Sequence, residues 1–378
     1  MKSRLKFKKL ITTTAVAMMA FVAMTSSAFA APTLLSNQSS VKRSPSFSLT
    51  GTASLSGYLF YSQSPETIDA TDLADAGKWL NKNAVSGSGQ VYTWHNNAAG
   101  ATITNHILIY NPSSTDTIVV TSSNYGTSNN TDTDSLAWKD YLTYGRAAKT
   151  VEIGPGNYGS LFSQSIVSGA NFGIVARTNV TKKGTSTAAS AIFYDIAYKD
   201  PAKSGNASAY ATADPSSSLR KRGLGNGYYT TLRLPVISPT ESTNGIAFKF
   251  GATGDSFNGA DMPYITDDAP STAGNTSGNV AGSYGQQFDI SFVVQNTTSV
   301  ARSFRVYAGS IGGTSYPFTY MGGNMSYYPT YSSGAPGFYF KDIIDTGVLQ
   351  PGASTTVSFF YTVPAMSSAP NVIGVRAN

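Results

Sequence analysis

The chain contains no cysteine, which excludes disulfides and thiolate metal sites. A chain of this length needs no covalent staples, because it can bury a core of its own. Charge is scarce too: 12% of residues are Asp, Glu, Lys or Arg, about half the usual ~25%. His95 and His106 are the only histidines, so one chain cannot build a three-histidine metal site. The His-Glu-x-x-His, Gly-x-Ser-x-Gly and P-loop patterns are all absent. Beyond the first thirty residues no apolar run approaches the ~20 residues of a membrane-spanning helix.

What is present begins with an export signal. Lys2, Arg4, Lys6, Lys8 and Lys9 form a positive lead, and an Ala/Val/Met-rich stretch follows over 15–24. Ala28 and Ala30 put small residues at −3 and −1, so cleavage is expected before Ala31. This predicts a secreted, extracellular chain without an integral membrane segment. Removing the signal takes away five basic residues and no acid, leaving 21 basic against 20 acidic residues. A nearly neutral mature chain gives no electrostatic reason to bind nucleic acid.

Ser, Thr, Asn and Gly supply most of the polarity. Short β-rich runs alternate with Gly, Asn, Ser and Pro turns, which predicts an all-β protein. Examples are 55–62, 90–94, 102–110 and 117–122. Helical spacing is confined to 70–81, through Leu73, Ala76, Gly77 and Leu80, and to 135–142. The predicted organisation is a signal peptide at 1–30, a polar lead at 31–45, a β-sandwich at 46–200, a linker at 201–222 and a second β-sandwich at 223–378. The linker holds Arg220-Lys221-Arg222 and reads as a solvated connection, with a protease-accessible site as the sharper alternative.

The two halves read as copies of one unit. Ile103, Ile107 and Ile109 alternate before Asn111, as Phe288, Phe292 and Val294 do before Asn296. Gly-Pro-Gly at 154–156 answers Gln-Pro-Gly at 350–352, and 171–175 answers 371–375. This order of strand, Asn turn, strand, Pro-Gly and strand resembles the immunoglobulin- or fibronectin-type modules of bacterial surface proteins. The resemblance implies two tandem sandwiches by internal duplication, and display or adhesion rather than chemistry. The segments 57–66 and 91–96 also resemble exported proteins grouped with copper amine oxidases. That resemblance implies a cofactor tyrosine in an Asn-Tyr-Asp/Glu motif with three histidine ligands. The nearest match here is Asn124-Tyr125-Gly126 and the histidines are too few, so oxidase activity is not expected.

Two segments carry candidate sites. Asp255, Asn258 and Asp261 surround a glycine turn, with Asp267 and Asp268 nearby. They supply the oxygen ligands of a structural calcium site, but not in the twelve-residue EF-hand pattern; an acidic turn is the plainer reading. The segment 316–340 is rich in aromatic residues among Gly, Pro and Ser. Tyr320, Tyr327, Tyr328 and Tyr331 are its candidate binding residues, because an exposed phenol joins an apolar face to a polar tip. The competing expectation is that these rings are core. The intermediate expectation has Tyr316, Phe318 and Phe340 buried on strands and 324–336 exposed as a loop. Trp79, Trp94 and Trp138 are expected to pack. No catalytic residue is expected, and no cofactor besides the calcium.

These features order three functions. First is a non-enzymatic extracellular protein with a structural, matrix or adhesive role. Second is a carbohydrate-binding module acting on cell-wall or environmental glycan. Third is an extracellular enzyme without a recognisable motif. The expected partners are another extracellular protein, a polysaccharide or further copies of the chain, with retention at the surface non-covalent.

Overall fold

The computed structural model describes residues 31–36, 38–129, 135–143, 147–215, 220–254, 257, 259–269, 275–327, 338–365 and 367–378. The segment expected to be a signal peptide lies outside them. The first strands are β1 (Thr33–Leu34), β2 (Val41–Arg43) and β3 (Thr52–Ser56). Then come β4 (Tyr58–Ser62), β5 (Thr67–Ile68), β6 (Lys78–Trp79), β7 (Asn81–Asn97), β8 (Ile103–Tyr110) and β9 (Ile118–Ser128). After the helix α1 (Ser135–Leu142) follow β10 (Lys149–Ile153), β11 (Tyr158–Ile166), β12 (Asn171–Lys182), β13 (Ser190–Tyr198) and β14 (Ala211–Thr212). The next group is β15 (Arg222–Gly225), β16 (Tyr229–Arg233), β17 (Ile246–Phe250), β18 (Tyr264–Thr266), β19 (Gly278–Asn279) and β20 (Gln287–Gln295). The last is β21 (Phe304–Ser310), β22 (Phe318–Met321), β23 (Asn324–Tyr327), β24 (Phe338–Asp345), β25 (Ser354–Thr362) and β26 (Asn371–Ala377).

The all-β expectation holds: among the described residues 52% are strand and there is one short helix. That helix is the one expected at 135–142. It packs on β9, where Gly126 is obligatory, since a Cβ there would meet the Ala137 carbonyl. The helix expected at 70–81 does not form. A three-residue 3₁₀ turn covers Ala74–Ala76, and Gly77 in the left-handed region (φ 74°) turns the chain into β6.

Two layers bury the first core. One contains β10, β9, β12, β7 and β4; the other contains β11, β8 and β13. The long strand β7 serves both, because residues 81–86 pair with β13 and residues 87–96 with β12. Gly87, with φ 67°, sits at the changeover. Phe60, Val91, Ile107, Ile109, Ile174 and Phe193 fill the space between the layers. In the second core, β24, β21, β26 and β17 face β22, β25, β20, β16 and β3. Phe250, Phe288, Ile290, Val306, Ile373 and Tyr361 are buried there. A third cluster joins Tyr61, Tyr92, Trp138 and Tyr141 to Tyr228, Ile265 and Phe318, so apolar packing continues from one half into the other.

Strand pairing crosses the expected boundaries. β3 pairs with β16, and β4 pairs with β15. β1 and β2 both pair with β24. The segment 31–56 therefore completes sheets built mostly from residues beyond 228, and is not a free polar lead. Parts of the expected linker are paired or buried: β14 lies beside β6, and the Arg222 side chain is 0% exposed, whereas most of 201–211 is exposed. Neither a solvated connection nor an open cleavage site describes Arg222.

One hydrogen-bond arrangement occurs three times among the described residues. Asn296, at the end of β20, donates from Nδ2 to the Val300 carbonyl (2.8 Å) and the Leu349 carbonyl (2.9 Å), and its Oδ1 accepts the Thr298 N–H. Its own N–H reaches the Ala353 carbonyl and its carbonyl accepts the Gly352 N–H. Asn111, after β8, makes the same set with Asp116 (2.7 Å), Ile153 (2.9 Å), Ser113, Asn157 and Gly156. Asn97, ending β7, makes it with Ala101 (2.9 Å), Ile166 (3.1 Å), Ala99, Ala170 and Gly169. All three asparagines are 0% exposed. Each carboxamide holds one carbonyl of its own following turn and reaches across to a second in the facing layer.

Asn296→Ala should remove three hydrogen bonds, those to the Val300 and Leu349 carbonyls and the one from the Thr298 N–H, at roughly 0.5–1.5 kcal/mol each. A loss of more than about 2 kcal/mol is expected, read as a lower urea midpoint with an unchanged slope. A change within about 0.5 kcal/mol, the usual effect of a surface substitution, would mean that the carboxamide is not a structural tie.

Candidate functional site

The aromatic segment forms part of a sheet face. β22 and β23 make a hairpin, so residues 324–327 are strand and not the expected loop; 328–336 lies outside the described residues, and Tyr328 and Tyr331 with it. Phe318 and Phe340 are buried on strands as expected, whereas Tyr316 is half-buried and precedes β22. Tyr327 is 42% exposed and stacks on Phe318 at 4.7 Å between ring centres. Tyr320 is half-buried and lies beside Phe360, at 6.2 Å. Pairing puts Phe318 opposite Tyr327, so Tyr320 and Tyr327 share one face.

That face continues across the sheet. Tyr320 pairs with Phe360, Phe360 with Asp289, and Asp289 with Thr231. Tyr229 adds a third ring 6.3 Å from Phe360. Asp289 accepts from Arg233 Nη2 at 2.7 Å and lies near the Tyr229 hydroxyl. Burial, reinforced by Asp289, pushes the Tyr229 phenol up to about 12. Tyr320, Met321, Phe360, Asp289 and Ser358 line a hollow of about 110 Å³. Neither Tyr229 nor Phe360 is adjacent in sequence to Tyr320; only strand register brings the three together.

The candidate calcium loop is described in part. Asp255 and Asn258 lie outside the described residues. Asp261 is 0% exposed, and its carboxylate accepts the Gly251 N–H at 2.5 Å. Asp267 is held by Arg222 at 2.9 Å and by the Thr276 hydroxyl. Among the described residues no three His, Cys, Asp or Glu side chains converge on a metal position.

Sequence reasoning missed a buried cluster of Ser62, His95, Asn105 and Asp195, all 0% exposed. It has the residue types of a nucleophilic relay but not the wiring. In such a relay the serine and the carboxylate sit on opposite imidazole nitrogens. Here Asp195 (3.0 Å) and Ser62 (3.4 Å) both approach His95 Nε2. Nδ1 faces the Pro65 carbonyl at 2.6 Å, which only accepts, so Nδ1 carries hydrogen. Asn105 donates to the other Asp195 oxygen at 2.7 Å. The cluster ties β4, β7, β8 and β13 together, and it presents no atom to solvent. Arg222 does comparable work nearby, donating to the Ala213 carbonyl (2.6 Å) as well as to Asp267.

No protein-family model and no curated protein matches the chain. Among solved structures, the CUB1-EGF-CUB2 domains of rat MASP-1 align at a TM-score of 0.13 and 8% identity, covering 78% of this chain and 99% of that one. Oxalate decarboxylase from Bacillus subtilis aligns at 0.11 and 11%, covering 90% and 76%. Likenesses this slight carry no argument about fold or function.

His106, on β8, bonds the Ser160 hydroxyl through Nε2. Burial lowers its pKa from 6.5 to about 4, partly opposed by Asp195. The folded state therefore favours the neutral ring, and the unfolded chain takes up the proton first as pH falls. The stability this contributes is fully present above pH 6.5 and is lost as pH falls from there towards 4, by roughly 3 kcal/mol at 1.36 kcal/mol per unit. Urea unfolding across this window should show a weaker pH dependence in His106→Gln than in the unmodified chain. Identical slopes would refute the assignment.

Proposed function

We propose that the chain is an exported, non-enzymatic protein with a structural, matrix or adhesive role outside the cell. The observation that carries this reading is where the reactive side chains are spent. His95, Asp195, Arg222 and Asp267 are all buried and bonded between strands. The sequence adds an export signal and a surface poor in charge, which favours association. Among the described residues no helix is long and apolar enough to cross a membrane.

The same reading treats the two halves as duplicated sandwiches of immunoglobulin or fibronectin type, one inserted into the other. Its support is the equivalent pairing of β8 with β11 and β20 with β25, and of β9 with β12 and β21 with β26. The matched surroundings of Asn111 and Asn296 agree with it.

A second reading, glycan binding, rests on Tyr229, Phe360 and Tyr320 beside the Asp289–Arg233 pair. Apolar ring faces next to charged hydrogen-bonding groups suit a pyranose, whose faces are apolar and whose rim is hydroxylated.

Fractionating culture medium, wall and membrane should place a chain beginning at Ala31 in the medium or wall. An uncleaved chain held in the cytoplasm or membrane would sink the exported reading. For the second reading, retention on insoluble polysaccharide should fall with Tyr320→Ala and persist with Tyr264→Ala, an exposed tyrosine on another sheet. Equal retention by both variants would remove this face from consideration.

A further inference from the structure

A cluster of buried polar groups surrounds Gly251, the residue that follows β17. Gly251 is left-handed (φ 79°), and its carbonyl accepts the Gly282 N–H at 2.7 Å. Two turns distant in sequence are thereby locked together. In the second turn Ser283 has φ 58°, the one positive φ outside glycine among the described residues. Asp261, Ser283, Gln286 and Asn371 are each 0% exposed. The Asp261 carboxylate accepts the Gly251 N–H. A Cβ on Gly251 would stand 2.8 Å from Ser283 Oγ and 3.4 Å from Asn371 Nδ2, so both side chains end against the same turn as the carboxylate. Gln286 flanks them, donating from Nε2 to the Asp261 carbonyl at 3.1 Å. Ser283 Oγ, Gln286 Oε1 and both polar atoms of the Asn371 side chain have no hydrogen-bond partner among the described residues.

We propose that this cluster is a calcium site, in which the Asp261 carboxylate, the Ser283 hydroxyl and the Asn371 carboxamide oxygen hold one ion against the Gly251 turn. Buried polar atoms are normally satisfied, and each exception calls for a water or an ion. The chemistry here favours the ion. The group at the centre is a carboxylate wholly removed from water, and an interior anion is stabilised by a cation. The atoms around it are mostly oxygens, the ligands of a hard cation. Neither end of the Asn371 carboxamide is held by a partner, so a half-turn of the amide presents its oxygen to the ion. Magnesium keeps several of its waters and demands a near-ideal octahedron, which suits a lining of fully buried side chains poorly. A single carboxylate among neutral oxygens implies a weak site, of about 10⁻⁴–10⁻³ M, the range of extracellular calcium modules. Asp261 is the member of the acidic loop read in the sequence that this site keeps. Its other ligands come from a turn and a strand far along the chain.

The test is urea unfolding of the chain with its signal removed, stripped with chelator and titrated with calcium chloride or magnesium chloride at constant ionic strength. An ion that binds only the folded state raises the midpoint saturably, and calcium is expected to do so while magnesium does not. Two variants locate the effect. Asp261→Asn keeps an acceptor for the Gly251 N–H and removes the charge. Ser283→Gly removes the hydroxyl and suits the left-handed backbone, so this variant should remain folded in chelator. In each, the calcium concentration at half-effect should rise roughly tenfold or more, since even groups that only support a metal ligand are worth 10–100-fold in affinity. No response to calcium would leave a bound water as the occupant and overturn the proposal. An equal response to magnesium would overturn the choice of ion. A calcium response unchanged in Ser283→Gly would place the ion elsewhere and overturn the site.

Discussion

A carboxamide offers two donors and an acceptor on one rigid plane, and the strand ends of this protein depend on that combination. At Asn97, Asn111 and Asn296 the side chain satisfies carbonyls that belong to the facing layer, while the backbone holds the start of the neighbouring strand. Gly156, Gly169 and Gly352 complete the arrangements with φ of 67°, 81° and 78°, conformations that cost other residues strain. A register slip of one residue would turn every core side chain outward. Tying strand ends across the layers therefore protects the cores as a whole. Aspartate could not substitute, because it accepts but does not donate when ionised.

The same economy governs the charged interior. Few ionisable residues exist, and several of them are buried in pairs. A buried pair is costly to break, at about 3–5 kcal/mol for the loss of one partner, and specific in what it joins. His95 and Asp195 fix β7 against β13, while Arg222 ties β15 to the segment around Asp267. Chemistry-bearing residues placed this way hold strands and leave the sheet faces and edges as the available surface. The aromatic face around Tyr320 belongs to that surface.

Strand content was legible because alternation is local. The runs ending at Asn111 and Asn296 show it, and both are strands. The helix at 135–142 was legible for the same reason. The spacing at 70–81 misled because Gly77 takes a left-handed conformation and the chain is drawn into β6, where pairing with β14 outweighs local spacing. The candidate tyrosines were half legible. Tyr320 and Tyr327 were picked out by composition, whereas Tyr229 and Phe360 join Tyr320 through pairing between strands distant in sequence, which composition does not encode.

Taken alone, the sequence determined the all-β class, the missing thiol and multi-histidine chemistry, and the asparagine and Pro-Gly turn positions, all of which are set by residue type and short-range period. Tertiary structure alone decided that 31–56 completes the second set of sheets, that Arg222 is interior, and that Ser62, His95 and Asp195 meet with the serine and the carboxylate on the same nitrogen. The physical reason is that a β-sheet is assembled from non-local hydrogen bonds. Any strand edge can in principle accept any other, and only the packed whole selects the partner.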